Sequence, residues 1–198
     1  MFLLRGGEWL AHNGRGYDTA KVILGSGIRA RKEGRPHDLA KADEVSVEVR
    51  ASKIDRYNTG TWRNHYASHK LVCPVRALDE LQNQHPERFG KGSEALLPLF
   101  RKADGSPLWS NVVKHLLETA AGDEGLPTAR FGTHSLRIGG ATALLHAGVH
   151  IDIIKRWGRW VSDSFQRYLW EAEEDAKDLA TKMASDKTTL SATRQTNQ

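Results

Sequence analysis

Between Thr133 and Tyr168 the chain repeats one device: a polar residue able to start a helix, a short apolar face, then a break. Thr133 can cap the first helix, whose stripe is Leu136, Ala141, Leu144 and Leu145, and Gly148 ends it. Ile151, Ile153, Ile154 and Trp157 form a second apolar face, stopped by Gly158. Ser162 can cap a third helix that carries Phe165, Tyr168 and Leu169. His134 and Arg137 stand three apart and so share a helix face. Both fall in the first turn, where backbone N–H groups and the helix dipole favour an anion.

The chain has 198 residues, which fits one domain with a sizeable core. It carries a net charge of +5, with a pI near 9.4, a balance that favours a polyanionic partner without proving one. A single cysteine, Cys73, leaves no internal disulfide and no cysteine-based zinc site, which makes an intracellular setting the simple reading. No apolar run is long enough to span a bilayer, and the first residues do not read as a signal peptide.

In chain order, the apolar start leads into an expected helix on which Arg5 and Glu8 stand three apart; a surface ion pair would have the same spacing. From Ala20 to Tyr66 the period becomes two. Lys21–Leu24 and Ile28–Lys32 are strand candidates, and Glu33-Gly34-Arg35-Pro36 is a turn. Val45, Val47, Val49 and Ala51 alternate with polar residues, as in a half-buried strand. Lys53 follows just before a hairpin-like turn at 55–60, where a lysine is usually a solvated tip residue. Lys70–Val75 is a candidate return strand. Pro74 then opens a helix with the stripe Val75, Leu78 and Leu81, ended by His85-Pro86. Cys73 reads as a small packed residue with no base placed to activate it. Ser110 can cap a helix whose stripe is Val112, Val113, Leu116, Leu117 and Ala120. Beyond Tyr168 an acidic helical segment runs through Glu171, Glu173, Glu174, Asp175 and Asp178, and 185–198 reads as a disordered polar tail.

The run His-Ser-Leu-Arg-Ile-Gly-Gly-Ala-Thr at 134–142, with Gly-Arg-Trp and then a tyrosine, resembles the tyrosine recombinase (phage integrase) family. Its wording, with Ser-Phe-Gln-Arg-Tyr at 164–168, looks most like the Crypton and DIRS-type eukaryotic transposon branch. The resemblance extends to Arg5-x-x-Glu8, where the family has an arginine braced by an acid, and to Lys53 on a hairpin, where it has a lysine general acid. It implies a division of labour on a DNA phosphodiester. Arg5 and Arg137 would hold the non-bridging oxygens with their planar forks. His134 would bond a phosphate oxygen or take part in proton transfer with Tyr168, the nucleophile, whose ordinary pKa near 10 makes such help useful. Lys53 would protonate the departing 5′-oxygen. The 3′-phosphotyrosine keeps the bond energy of the phosphodiester, so neither metal nor nucleotide cofactor is required.

One further site position lies between Arg137 and Tyr168, and two counts reach it differently. Counting forward from Arg137 at the family interval reaches Trp160; counting back from Tyr168 reaches Arg159. Trp160 is the favoured candidate, since an indole packs beside a tyrosine and donates one hydrogen bond; Arg159 would add a phosphate contact. Trp160 and Tyr168 could each also be plain core residues. Other chemistries find less support. The pairs His65/His69 and His146/His150 lack an evident third ligand, the acidic run has no metal geometry, and no phosphate-binding P-loop motif occurs.

The expected fold is mainly α with a small antiparallel β-sheet of about three strands, an α+β class; the resemblance implies the catalytic domain of a DNA breaking-rejoining enzyme. That domain would span 1–184, followed by the tail at 185–198. Enzymes of this family clamp DNA with an additional N-terminal domain, which is expected to be absent here, and Arg5 lies so near Met1 that the first catalytic helix is expected to be clipped. Three functions remain open: DNA integration by strand exchange, a catalytically inactive DNA-binding remnant of a mobile element, and a type IB topoisomerase-like relaxing activity. The resemblance implies double-stranded DNA as partner, a homotetramer on two duplexes when active, no membrane, and a nuclear location if the source is eukaryotic.

Overall fold

A computed structural model of the chain describes residues 2–12, 14–51 and 60–162. The expectations for Lys53, for Tyr168 and for the acidic segment and tail therefore lie outside the described residues. The chain divides into two compact units, Met1–Gly140 and Ala141–Gln198.

The first unit is built on an antiparallel sheet of order β2-β1-β3-β4. Its strands are β1 (Ile28–Lys32), β2 (Arg35–Pro36), β3 (Glu44–Val49) and β4 (Thr61–Tyr66). The expected turn at Glu33-Gly34 is present: both residues have positive φ, 50° and 76°, and Lys32 pairs with Arg35 across a two-residue hairpin of the type such angles allow. Val45, Val47 and Val49 bury one face of β3 almost completely, and Val45 and Val47 join Ile23, Val75, Leu78 and Leu99 in the core.

The strand is not half-buried, however. Glu44 and Ser46, on the opposite face, are also buried. Arg31 covers them, donating Nη1 to Glu44 Oε1 at 3.0 Å and to Ser46 Oγ at 3.1 Å, and the Arg29 guanidinium lies 3.6 Å over the Trp62 ring. Arginines thus seal a face that alternation alone assigns to water.

Two expected strands do not form. Lys21–Leu24 is irregular, although Val22 and Ile23 are buried and Ile23 bonds both ways, its N–H to Glu8 O and its carbonyl to the N–H of Leu99. At Gly25, which follows, only glycine fits, because a Cβ there would overlap the Arg88 carbonyl. Lys70–Val75 is not the return strand; β4 pairs with β3 instead, from Glu44 with Tyr66 to Val49 with Thr61. Pro74 opens helix α1 (Pro74–Gln84) as expected, and Val75 and Leu78 are buried. Cys73 is packed at its N-terminus. Burial raises the thiol pKa, but hydrogen bonds from the Arg76 backbone, Ser68 and Val75 outweigh burial and bring it to about 7.

Helix α2 (Ser110–Asp123) begins with Ser110 in its first turn rather than as its cap, which is Trp109. Its apolar stripe is narrower than expected. Ala121 is buried, Val113 and Leu117 are half-buried, and Val112 and Leu116 face solvent. Helix α3 (Ser135–His146) is capped one residue later than Thr133 allows: the His134 carbonyl accepts from the N–H of Arg137 and of Ile138. Its buried positions are Arg137 and Ala141, while Leu136 is 50% exposed, so an arginine stem takes the place read for a leucine. Gly148 closes it at φ +75°, with its N–H bonded to Leu145 O.

In the second unit, helix α4 (Ile151–Gly158) buries Ile154 and ends one residue beyond the expected stop. The left-handed position is Arg159, φ 58°, and not Gly158. Gly158 has a different duty: a Cβ there would overlap the six-membered ring of Trp160. The four helices and the small antiparallel sheet make the described fold α+β.

Candidate functional site

Arg5 does not sit in an α-helix. Gly6 and Gly7 follow it, each costing about 1 kcal/mol relative to alanine in a helix interior, and the chain makes only a single 3-10 turn over Gly6–Glu8. That turn folds Glu8 back onto Arg5. Glu8 Oε2 accepts the Arg5 backbone N–H at 2.7 Å, and Oε1 lies 3.5 Å from Arg5 Nη1. The Glu8 carboxylate is buried, while 32% of the Arg5 side chain remains exposed. A buried acid thus holds the root of a guanidinium whose side chain still reaches solvent.

Arg137 is 4% exposed and donates Nη1 to the Leu3 carbonyl at 2.6 Å. Leu3 adopts φ +49°, a left-handed conformation that costs an L-residue about 1–2 kcal/mol. Its side chain fills the space beside Gly140, where a Cβ would lie 2.6 Å from Leu3 Cδ2. Gly6 in turn lies next to Thr133, whose Oγ1 is 3.9 Å from where its Cβ would be. The segment bearing Arg5 is therefore tied to α3 before Arg5, through Leu3, and lies near Thr133 after it, at Gly6. At its start it also meets the sheet, with Phe2 packed edge-on against His65 at 4.4 Å.

His134 immediately precedes α3 and is exposed, though its ring is partly desolvated. Desolvation and the charge of Arg137 both hold its pKa below the ordinary imidazole value. At neutral pH the ring is thus mainly uncharged, with one nitrogen able to accept and one to donate. Arg137 meets the Leu3–Glu8 segment that carries Arg5 and Glu8, and His134 lies within reach of the Arg137 charge. Two guanidiniums beside a helix N-terminus suit an oxyanion.

Arg159 and Trp160 belong to the second unit. Arg159 is 7% exposed, and its N–H bonds Arg156 O. Trp160 donates its backbone N–H to Lys155 O at 3.0 Å and lays its ring against Gly158. The two counts that separated these residues thus land on neighbours with different surroundings, one buried and one stacked on a glycine. Lys53 and Tyr168 lie outside the described residues. Reading the sequence alone missed Leu3 and Gly140. Gly139-Gly140 inside a helix was the available signal, since glycine is costly there unless something packs against it; for Leu3 there was none.

No family model matches the chain, and no curated protein does. Among solved structures the chain is similar to the XerH site-specific recombinase bound to difH substrate in a pre-cleavage complex, at 15% identity and a TM-score of 0.46. The similarity covers 70% of this chain and 37% of that one, so the chain spans little more than a third of its length.

Proposed function

We propose that the chain is the catalytic domain, 1–184, of a tyrosine-type DNA recombinase that integrates or exchanges DNA strands through a 3′-phosphotyrosine intermediate. The observation that carries this reading is the convergence of Arg5 and Arg137 on one segment, each held from behind: Arg5 by Glu8 and Arg137 by the Leu3 carbonyl.

A phosphodiester resists attack because its oxygens are anionic. Arg5 and Arg137 neutralise the non-bridging oxygens and stabilise the charge that develops on them. Tyr168 attacks phosphorus, the P–O5′ bond breaks, and Lys53 gives its proton to the leaving 5′-oxygen. His134, uncharged at neutral pH, accepts the phenolic proton or bonds a phosphate oxygen. In this reading Trp160 is the residue assigned to assist the tyrosine, and Arg159 is a supporting residue. A second 5′-hydroxyl then attacks the phosphotyrosine and returns the energy of the first bond to the new one, so the cycle needs no cofactor. Double-stranded DNA is the substrate, and exchange between two duplexes calls for four copies of the chain. The HSLRIGG wording supports a mobile-element origin of the Crypton or DIRS type.

The test is covalent capture. A library of nicked duplexes with randomised centres is incubated with the full chain in EDTA, and protein-linked DNA is recovered under denaturing conditions. The expected result is an adduct that the wild type forms and Tyr168→Phe does not. DNA binding with no adduct would make the chain an inactive remnant. Relaxation of any supercoiled plasmid without strand exchange would assign it to the topoisomerases.

A further inference from the structure

Among the described residues, four that are not glycine have positive φ: Leu3, Glu33, His69 and Arg159. Glu33 makes the hairpin turn between β1 and β2, and Arg159 closes α4; both are places where a left-handed residue finishes an element. Leu3 finishes nothing. It is a 4% exposed aliphatic residue in the middle of an irregular segment, and left-handed backbone is among the least favourable choices for such a side chain. Strain of this kind persists only where the surroundings over-determine it.

The surroundings of Leu3 do so in two ways. Its carbonyl accepts Arg137 Nη1 at 2.6 Å, a charge-assisted bond to a guanidinium that is itself 4% exposed. Its side chain packs against the bare backbone of Gly140, three residues beyond Arg137, where a Cβ would come within 2.6 Å of Leu3 Cδ2. The leucine is gripped at both ends by one stretch of α3. Rotating φ of Leu3 into the ordinary negative range would swing its carbonyl and its side chain together, away from both contacts.

We infer that Leu3 is a positioning residue for Arg137: its left-handed backbone aims the carbonyl that fixes the guanidinium, and Gly140 leaves the room its side chain needs to hold that conformation. Leu3 stands two residues before Arg5, so the same short segment sets the direction of one phosphate-binding fork and carries the other. The spacing between the two forks is then fixed locally and does not depend on how the larger elements flex. This deepens the recombinase reading and rests on it, because the value of a fixed spacing is that one phosphate occupies both forks.

Two substitutions separate backbone from side chain. Leu3→Ala and Leu3→Gly both remove the buried isopropyl group, and both should lower thermal stability. They differ in that glycine adopts left-handed φ freely and alanine does not. One readout needs no DNA: the NMR titration of the His134 ring, which senses the Arg137 charge. The second is the rate of covalent adduct formation on duplexes recovered in the capture experiment above.

In Leu3→Gly the His134 midpoint should stay near that of the wild type, and the adduct rate within about threefold of it. In Leu3→Ala the midpoint should rise toward the ordinary imidazole value, and the rate should fall by roughly tenfold, with DNA binding equal in the two variants. Identical behaviour of the two variants in both readouts would overturn the inference. Should both variants fail to fold, Gly140→Ala keeps the leucine and adds helix propensity; it should displace Leu3 and raise the His134 midpoint, and an unchanged midpoint would count against us. The two readings fail separately. A wild type that forms no adduct, with His134 still distinguishing alanine from glycine, removes the enzyme and leaves the positioning. An active enzyme with no such distinction removes the positioning alone.

Discussion

Arg88 and Arg101 in one part of the first unit, and Arg5 and Arg137 in another, put guanidiniums inside the protein for opposite ends. Arg88 is 2% exposed and donates to three carbonyls, of Leu99, Arg101 and Lys102. Arg101, 8% exposed, donates to the carbonyls of Pro98 and Glu94 and to the Glu94 carboxylate at 2.7 Å. Together they tie down a loop region that has little regular structure to satisfy its own carbonyls. In the other pair Arg137 is buried with one nitrogen on the Leu3 carbonyl, Arg5 keeps about a third of its side chain in solvent, and an exposed histidine with a lowered pKa stands near Arg137. A buried arginine is therefore not in itself a sign of a site. The distinguishing features are a partly exposed fork, a buried acid behind it and a titratable neighbour.

This contrast can be broken most directly at Arg88. Arg88→Met strands three buried carbonyls and should lower stability by on the order of 3–5 kcal/mol in urea unfolding. A loss below about 1 kcal/mol would place Arg88 outside the structural class. The second unit offers a smaller test of close packing. Gly158→Ala must displace the Trp160 ring, at a cost of about 1–3 kcal/mol and with a shift in tryptophan emission. Unchanged emission would mean that the ring does not rest on the glycine.

Arg5→Gln should cost only about 1–2 kcal/mol, since Glu8 keeps the Arg5 backbone N–H and the lost guanidinium was partly in water. Its effect should appear in adduct formation, so a variant as active as the wild type would put Arg5 in the structural class. The smallest effect concerns pH. The folded protein holds the His134 pKa below its unfolded value, so unfolding takes up a proton between the two. This contribution makes stability rise with pH through that interval and fall as pH drops through it. His134→Gln should flatten that part of the stability profile; if it does not, neither burial nor the Arg137 charge lowers the ring's pKa in the fold.

Much of this was legible in residue order. Pro74 at a helix start, the valine alternation of β3 and the Glu33-Gly34 turn each follow from local chemistry, and each is present. So is the juxtaposition of His134 and Arg137, because three-residue spacing on a helix is a short-range fact. What could not be read is long-range. Nothing local says that Arg31 will cover Ser46, that Arg88 will gather three carbonyls, or that Leu3 will turn left-handed to meet a helix more than 130 residues away. The helix expected around Arg5 fails for a reason that was visible, the glycine pair at 6 and 7. The helical stripes misled where amphipathic period was taken as burial: Leu116 and Leu136 are exposed, and Arg137 is not.

The central claim is that Arg5 and Arg137 grip the same phosphate. A double-mutant cycle of Arg5→Lys and Arg137→Lys, read as the rate of covalent adduct formation on captured duplexes, tests it most directly. If one phosphate fills both forks, the combined loss should differ from the sum of the single losses by about 1 kcal/mol or more. Losses that add to within about 0.5 kcal/mol would mean two arginines at work in two places, and the account would be wrong.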